Sequence, residues 1–252
     1  MTSPRIEVST FAGCPHAEAA IQLAQAVAER LGPGITVDLV DIDTPERAAE
    51  FGFLGSPTIR VNGLDVEGRT TSRGALCCRM YDGGAGVPPE WSVEAGVLRV
   101  LRPRGILFLC VANSARSQMA EGIARALLPP EVEVWSAGSS PTRLRPEAIA
   151  VLGEIGIDIS AHRSKAASEV PASQVDTVIT LCGEEECPVF LGRARRLHWG
   201  LLDPAALDGG ERERLDAFRR TRDELRRRIA ALRANDGHSV RRRVQREGPR
   251  GL

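Results

Sequence analysis

The stretch Cys110-Val-Ala-Asn-Ser-Ala-Arg116-Ser117 decides the reading of this chain. It follows the apolar run Gly105-Ile-Leu-Phe-Leu, which reads as a buried strand, and it precedes residues 117–128, whose apolar spacing is helical. A helix start presents unpaired backbone N–H groups and a partial positive charge, and so attracts oxyanions. A loop that wraps successive N–H groups round one point makes an anion nest. A cysteine at the mouth of such a nest has its thiolate form stabilised. Arg116 can give paired hydrogen bonds to a tetrahedral oxyanion. The candidate oxyanion-binding residues are therefore Val111, Ala112, Asn113, Ser114, Ala115, Arg116 and Ser117, with Cys110 as a sulfur nucleophile beneath them. Asn113 is expected to shape the loop through its side chain, and Ser117 to donate to the Cys110 sulfur. The plainer alternative makes these two a turn residue and a helix cap. For Cys110 and Arg116 it is a buried strand-end cysteine and a surface ion pair.

Outward from this loop, strand and helix alternate. Strands are expected at residues 106–110, 132–136, 175–181 and 196–198, and helices at 117–128, 146–155 and 211–233. Such alternation argues for an α/β fold with a parallel sheet flanked by helices. Toward the N-terminus the order reads strand, helix, strand, helix, strand, strand, helix. Ile6 and Val8 share one face of the first strand. Ile21, Ala24, Val27, Ala28 and Leu31 mark the first helix, which begins near Pro15 and is stopped by Gly32-Pro33-Gly34. Asn62-Gly63 is a hairpin signal between the third and fourth strands. Residues 81–89 are rich in Gly and Pro and read as loop. We expect one unit over residues 1–98, a second over 99–235, and a disordered basic tail over 236–252.

The 252 residues, 42% hydrophobic and 26% charged, suit one or two globular domains. The apolar runs are too short to span a bilayer, and the N-terminus lacks a signal-peptide pattern. The expectation is a soluble, cytoplasmic protein with no membrane partner. The zero formal net charge names no partner. Residues 211–252 carry fourteen Arg against seven Asp or Glu, which could touch nucleic acid. A solvated helix and loose tail explain them as well, so no nucleic-acid partner is expected. Six cysteines in a cytoplasmic chain point to catalysis, redox chemistry or metal binding rather than structural bridges. There is no Cys-x2-Cys pair, and no metal or other cofactor is expected.

Residues 104–235 resemble the thioredoxin-coupled arsenate reductases, which share their fold with the low-molecular-weight tyrosine phosphatases. The resemblance rests on residues 110–122, Trp135-Ser-Ala-Gly138, Ile157-Asp-Ile-Ser-Ala-His162, Thr180-Leu-Cys182 with Cys187-Pro, and His198-Trp-Gly-Leu-Leu-Asp203-Pro204. It implies arsenate as substrate, reduced by a relay of three thiols. Cys110 attacks, Asp203 protonates the leaving oxygen, Cys182 displaces arsenite, and Cys187 moves the disulfide on. A thioredoxin or another dithiol would then reduce Cys182–Cys187. Only four residues separate these two cysteines, where some members have six. Some members also hold potassium beside the loop. Asn113, Glu121 and Ser136 match that set, but Lys165, the single lysine of the chain, stands at the expected Asp position. Its ammonium is expected to replace the cation.

Two other readings compete. A low-molecular-weight tyrosine phosphatase would carry aromatic residues after Asp203-Pro204, where this chain has Ala205-Ala206-Leu207. A thiol-based metalloid-binding protein would bind through Cys110 without turnover.

The first part resembles the thioredoxin and glutaredoxin fold, on Phe11-Ala-Gly-Cys14-Pro15-His16 and Gly55-Ser-Pro57-Thr58. The resemblance implies a cis Pro57 facing a redox-active Cys14. The usual second cysteine is replaced by Ala17, so Cys77 or Cys78 would have to resolve Cys14. The unit then serves as the chain's own reductant, as a soft thiolate site for arsenite or another thiophilic ion, or as a structural module. His16 is expected to cap the helix or lie at the surface.

Overall fold

The computed structural model describes residues 3–71, 73–183 and 192–233; Cys187 and the basic tail lie outside the described residues. The order of elements is the one expected in both halves.

The first sheet holds β1 (Arg5–Thr10), β2 (Thr36–Asp41), β3 (Thr58–Val61) and β4 (Leu64–Asp65), in the order β2-β1-β3-β4. β1 and β2 run parallel because α1 (Ala17–Leu31) carries the chain back between them. β3 is antiparallel to β1 and turns into β4 at Asn62-Gly63, both with positive φ, as a tight hairpin requires. α1 starts two residues after Pro15, because Cys14, Pro15 and His16 form a turn in which Ala17 N donates to Cys14 O at 3.2 Å. Thr44 caps α2 (Pro45–Glu50) by accepting from Arg47 N at 3.2 Å.

α3 (Glu90–Leu101) closes the first half. It runs through the boundary expected after residue 98 and ends where Arg102 turns left-handed, at φ 51°. Its buried Val93, Val97 and Leu98 face a core that belongs to both halves, so the apolar stripe has no reason to stop at the junction.

The second sheet holds β5 (Gly105–Cys110), β6 (Glu133–Gly138), β7 (Thr177–Thr180) and β8 (Arg195–His198), in the order β6-β5-β7-β8. All three pairings are parallel. α4 (Arg116–Leu127), α5 (Pro146–Gly153) and α6 (Glu211–Ala230) complete this half. All six residues of β5 are buried, as befits a central strand covered on both faces. Ile106 and Phe108 point into the main core with Met119, Phe218 and Leu225. Leu107 and Leu109 point the other way, against Val170, Val175 and Val178. Among the described residues, no helix is long and apolar enough to cross a membrane.

Phe218 on α6 is fully buried in the main core. Phe218→Ala is expected to destabilise the chain by about 3–5 kcal/mol, read from denaturant unfolding followed by circular dichroism. A loss below about 1 kcal/mol would place α6 outside the cooperative core.

Candidate active site

Cys110 ends β5, and six positions later Arg116 begins α4. The loop between them is folded round Asn113, which is fully buried and adopts a left-handed conformation at φ 45°. Asparagine tolerates that conformation better than most residues. Every polar atom of the Asn113 side chain is used. Its Nδ2 donates to Ser117 Oγ and to Ser136 Oγ, each at 2.9 Å. Its Oδ1 accepts from Lys165 N at 2.8 Å and Gln118 Nε2 at 3.0 Å. The Asn113 carbonyl accepts from Ser164 Oγ at 2.6 Å.

Ser117 Oγ lies 2.9 Å from Cys110 Sγ. Because Ser117 already accepts from Asn113, its own hydroxyl proton is left for the sulfur. That arrangement gives the Cys110 sulfur a hydrogen-bond donor.

Behind the loop, Glu121 is buried between two cations. Its Oε1 meets Arg125 at 2.6 Å, and its Oε2 meets Lys165 Nζ at 3.1 Å and accepts from Ser136 Oγ. The set of donors that would hold a potassium ion therefore contains an ammonium in place of a carboxylate. A second cation beside Lys165 would meet repulsion, and the site does not fit potassium. Burial holds His162 below the ordinary imidazole range, while Glu121 pulls the other way. His162 Nδ1 lies 3.0 Å from Gln118 Oε1. The Gln118 Nε2 donates to Asn113 and to Arg163 O, so Oε1 is the acceptor and His162 Nδ1 carries the proton.

The parallel sheet brings the other candidates to the same edge. Leu181 N donates to Leu109 O at 2.8 Å, which runs the chain after β7 alongside Cys110 and sets the buried Cys182 one residue further on. Arg116 Nη1 donates to Leu201 O at 2.9 Å, and its Nη2 lies 3.4 Å from Asp203 Oδ2. The other Asp203 oxygen accepts from Ala205 N at 3.1 Å, so Asp203 both faces the arginine and caps the turn Pro204–Ala206. Cys110, Arg116, Asp203 and Cys182 thus share one end of the second sheet; Cys187 lies outside the described residues. Sequence patterning offers no signal for Gln118 and Ser164, which reach the loop only through folding.

The N-terminal candidates gather at one end of the first sheet. Cys14 is buried just ahead of α1, the Ser56–Pro57 peptide is cis, and Phe11 N donates to Ser56 Oγ at 3.4 Å. Cys77 and Cys78 are exposed, and their backbone runs beside Ser56, whose N donates to Cys77 O at 2.8 Å. No three His, Cys, Asp or Glu side chains among the described residues are grouped to hold a metal ion, so Cys14, Cys77 and Cys78 do not form such a trio. His16 makes no side-chain cap; its ring lies against Gly86, so closely that a Cβ there would collide with it.

Residues 105–246 match the family model of the low molecular weight phosphotyrosine protein phosphatases, and the chain belongs to that family. Arsenate reductases are among the proteins it is similar to there. That of Shouchella clausii (strain KSM-K16) is 44% identical over 126 residues, covering 49% of this chain and 91% of the relative. That of Bacillus subtilis (strain 168) is 43% identical over 122 residues, covering 48% of this chain and 88% of the relative. A solved arsenate reductase in the phosphate binding state is 35% identical, covers 51% of this chain and 95% of that chain, and gives a TM-score of 0.45.

Two outcomes are expected. A Cβ on Gly138 would stand 2.3 Å from Val111 O and 2.9 Å from Asn113 N. Gly138→Ala should therefore displace the loop and weaken phosphate binding about tenfold or more in calorimetry; unchanged affinity would mean that the loop adapts. Replacing sodium by potassium at fixed ionic strength should leave the turnover rate unchanged, and a several-fold rise would show that Lys165 does not substitute for the ion.

Proposed function

We propose that this enzyme reduces arsenate to arsenite through a relay of three cysteines. The observation that carries the reading is that two cysteines stand at the same end of neighbouring strands: Cys110 at the end of β5, and Cys182 just past the end of β7. The Cys110 thiolate attacks arsenic, and one oxygen leaves as water with a proton from Asp203. The loop N–H groups and Arg116 hold the remaining oxygens. The Cys182 thiolate then attacks the Cys110 sulfur. The arsenic–sulfur bond breaks, its electron pair stays with arsenic, and arsenite departs, leaving a Cys110–Cys182 disulfide. Cys187 attacks Cys182, which releases the Cys110 thiolate and leaves Cys182–Cys187 for a dithiol such as thioredoxin to reduce. A phosphatase has no use for the later thiols, and the residues after Asp203-Pro204 offer no aromatic grip on phosphotyrosine. The relay needs a reducing compartment, which favours the cytoplasm.

We read the first half as a thioredoxin-like unit, divided from the reductase unit near residue 100. Its parallel β1–α1–β2, its antiparallel β3 and β4, and Cys14 ahead of α1 support this. With three cysteines at one sheet end, this unit is a candidate reductant of the relay.

Arsenite production from arsenate tests the whole scheme, with thioredoxin, glutathione with glutaredoxin, or a simple dithiol as electron source. Turnover should vanish in Cys110→Ser, Cys182→Ser and Cys187→Ser. Loss in Cys14→Ser would add the first half to the electron path. Hydrolysis of a phosphate ester with no arsenate turnover under any reductant would sink the reductase reading.

A further inference from the structure

The first half, outside the family match, reaches the candidate site through one buried carboxylate. Glu94 lies midway along α3 and is 1% exposed. Its Oε1 accepts from Arg30 Nη2 of α1 at 2.6 Å, and its Oε2 accepts from Trp199 Nε1 at 2.9 Å. Trp199, fully buried, opens the segment that follows β8. Trp199 N donates to Thr180 O at 2.8 Å, and Leu201 N to Leu181 O at 3.2 Å. Gly200 lies against Cys182, whose carbonyl would be 3.1 Å from a Cβ there. Leu201 O takes the Arg116 hydrogen bond, and Asp203 faces Arg116. The segment from residue 199 to 203 is therefore tied to Glu94 at one end and to the oxyanion loop at the other.

We propose that Glu94 is a positioning residue of the reductase site: anchored by Arg30, it fixes Trp199 and with it the segment that carries Asp203 and backs Cys182. The first half then also contributes to the geometry of the reductase site. This rests on the reading of Cys110, Cys182 and Asp203 given above.

The plain alternative is an interface hydrogen bond kept for stability, and electrostatics argue against it. Burial, with Glu90 on the same helix adding repulsion, outweighs Arg30 and the Trp199 indole and pushes the Glu94 carboxyl up to about 7. The folded chain therefore holds a proton that the unfolded chain loses between the ordinary glutamate range and pH 7, so stability falls as pH rises through that window. A neutral residue would relieve this, so the charge does not serve stability.

The test compares full-length wild type, Glu94→Gln and Trp199→Phe in single-turnover oxidation of Cys110 by arsenate, with phosphate affinity and melting temperature measured alongside. Glu94→Gln should melt no lower than wild type at pH 8 and bind phosphate within about twofold, yet react about tenfold more slowly, because orientation and not binding is lost. The deficit should close near pH 6, where wild-type Glu94 is itself protonated. A deficit independent of pH, or rate and melting temperature falling together, overturns the proposal. If wild type oxidises no Cys110 with arsenate, the reductase reading fails separately. Trp199 emission, taken as wild type minus Trp199→Phe, then decides the link. It should titrate near pH 7 and lose that titration in Glu94→Gln; a flat profile in wild type overturns it.

Discussion

The molecule depends on holding the loop between Cys110 and Arg116 in shape. Backbone N–H groups aimed at one point repel each other, and a loop of this kind would collapse without an internal brace. Asn113 supplies it. Its left-handed backbone turns the chain, and its amide ties Ser117 on α4, Ser136 on β6 and the backbone at Lys165 into one unit. The hydroxyl that faces the Cys110 sulfur owes its orientation to the same amide.

A second layer braces the first. Gln118 links Asn113 to His162, and Glu121 gathers Ser136, Lys165 and Arg125. A buried carboxylate between two cations is tolerated because each of its oxygens finds a donor. The ammonium of Lys165 is covalently tethered beside Glu121, so this part of the brace needs no binding equilibrium. The all-parallel order of the second sheet adds the remaining element: strands that end on the same side deliver Cys110, Cys182 and the segment before Asp203 to one edge.

Legibility from sequence followed the range of the forces involved. The strand-loop-helix around Cys110 and the alternation of elements are written in neighbouring residues, and they read correctly. The start of α1 shifted because Cys14 and His16 turn before the helix begins. α3 continues past residue 98, because its buried stripe faces a core that both halves share. His16 stands at the N-cap of α1 without a side-chain cap; its ring packs against Gly86, seventy positions along the chain.

The sequence by itself showed the chemical groups and their order: a cysteine at a strand end ahead of a helix N-terminus, an arginine at the start of that helix, further cysteines, and a single lysine at 165. Periodicity and helix-end electrostatics act within a few residues, so they survive in a one-dimensional reading. Only the tertiary structure decided which polar atoms satisfy one another. Asn113 finds its partner at Lys165, fifty-two positions on, and Glu94 finds Trp199 at a separation of 105. Such contacts have no period and no local preference. They exist because a buried polar group must find a partner wherever the fold places one, and no pattern along the chain records where that will be.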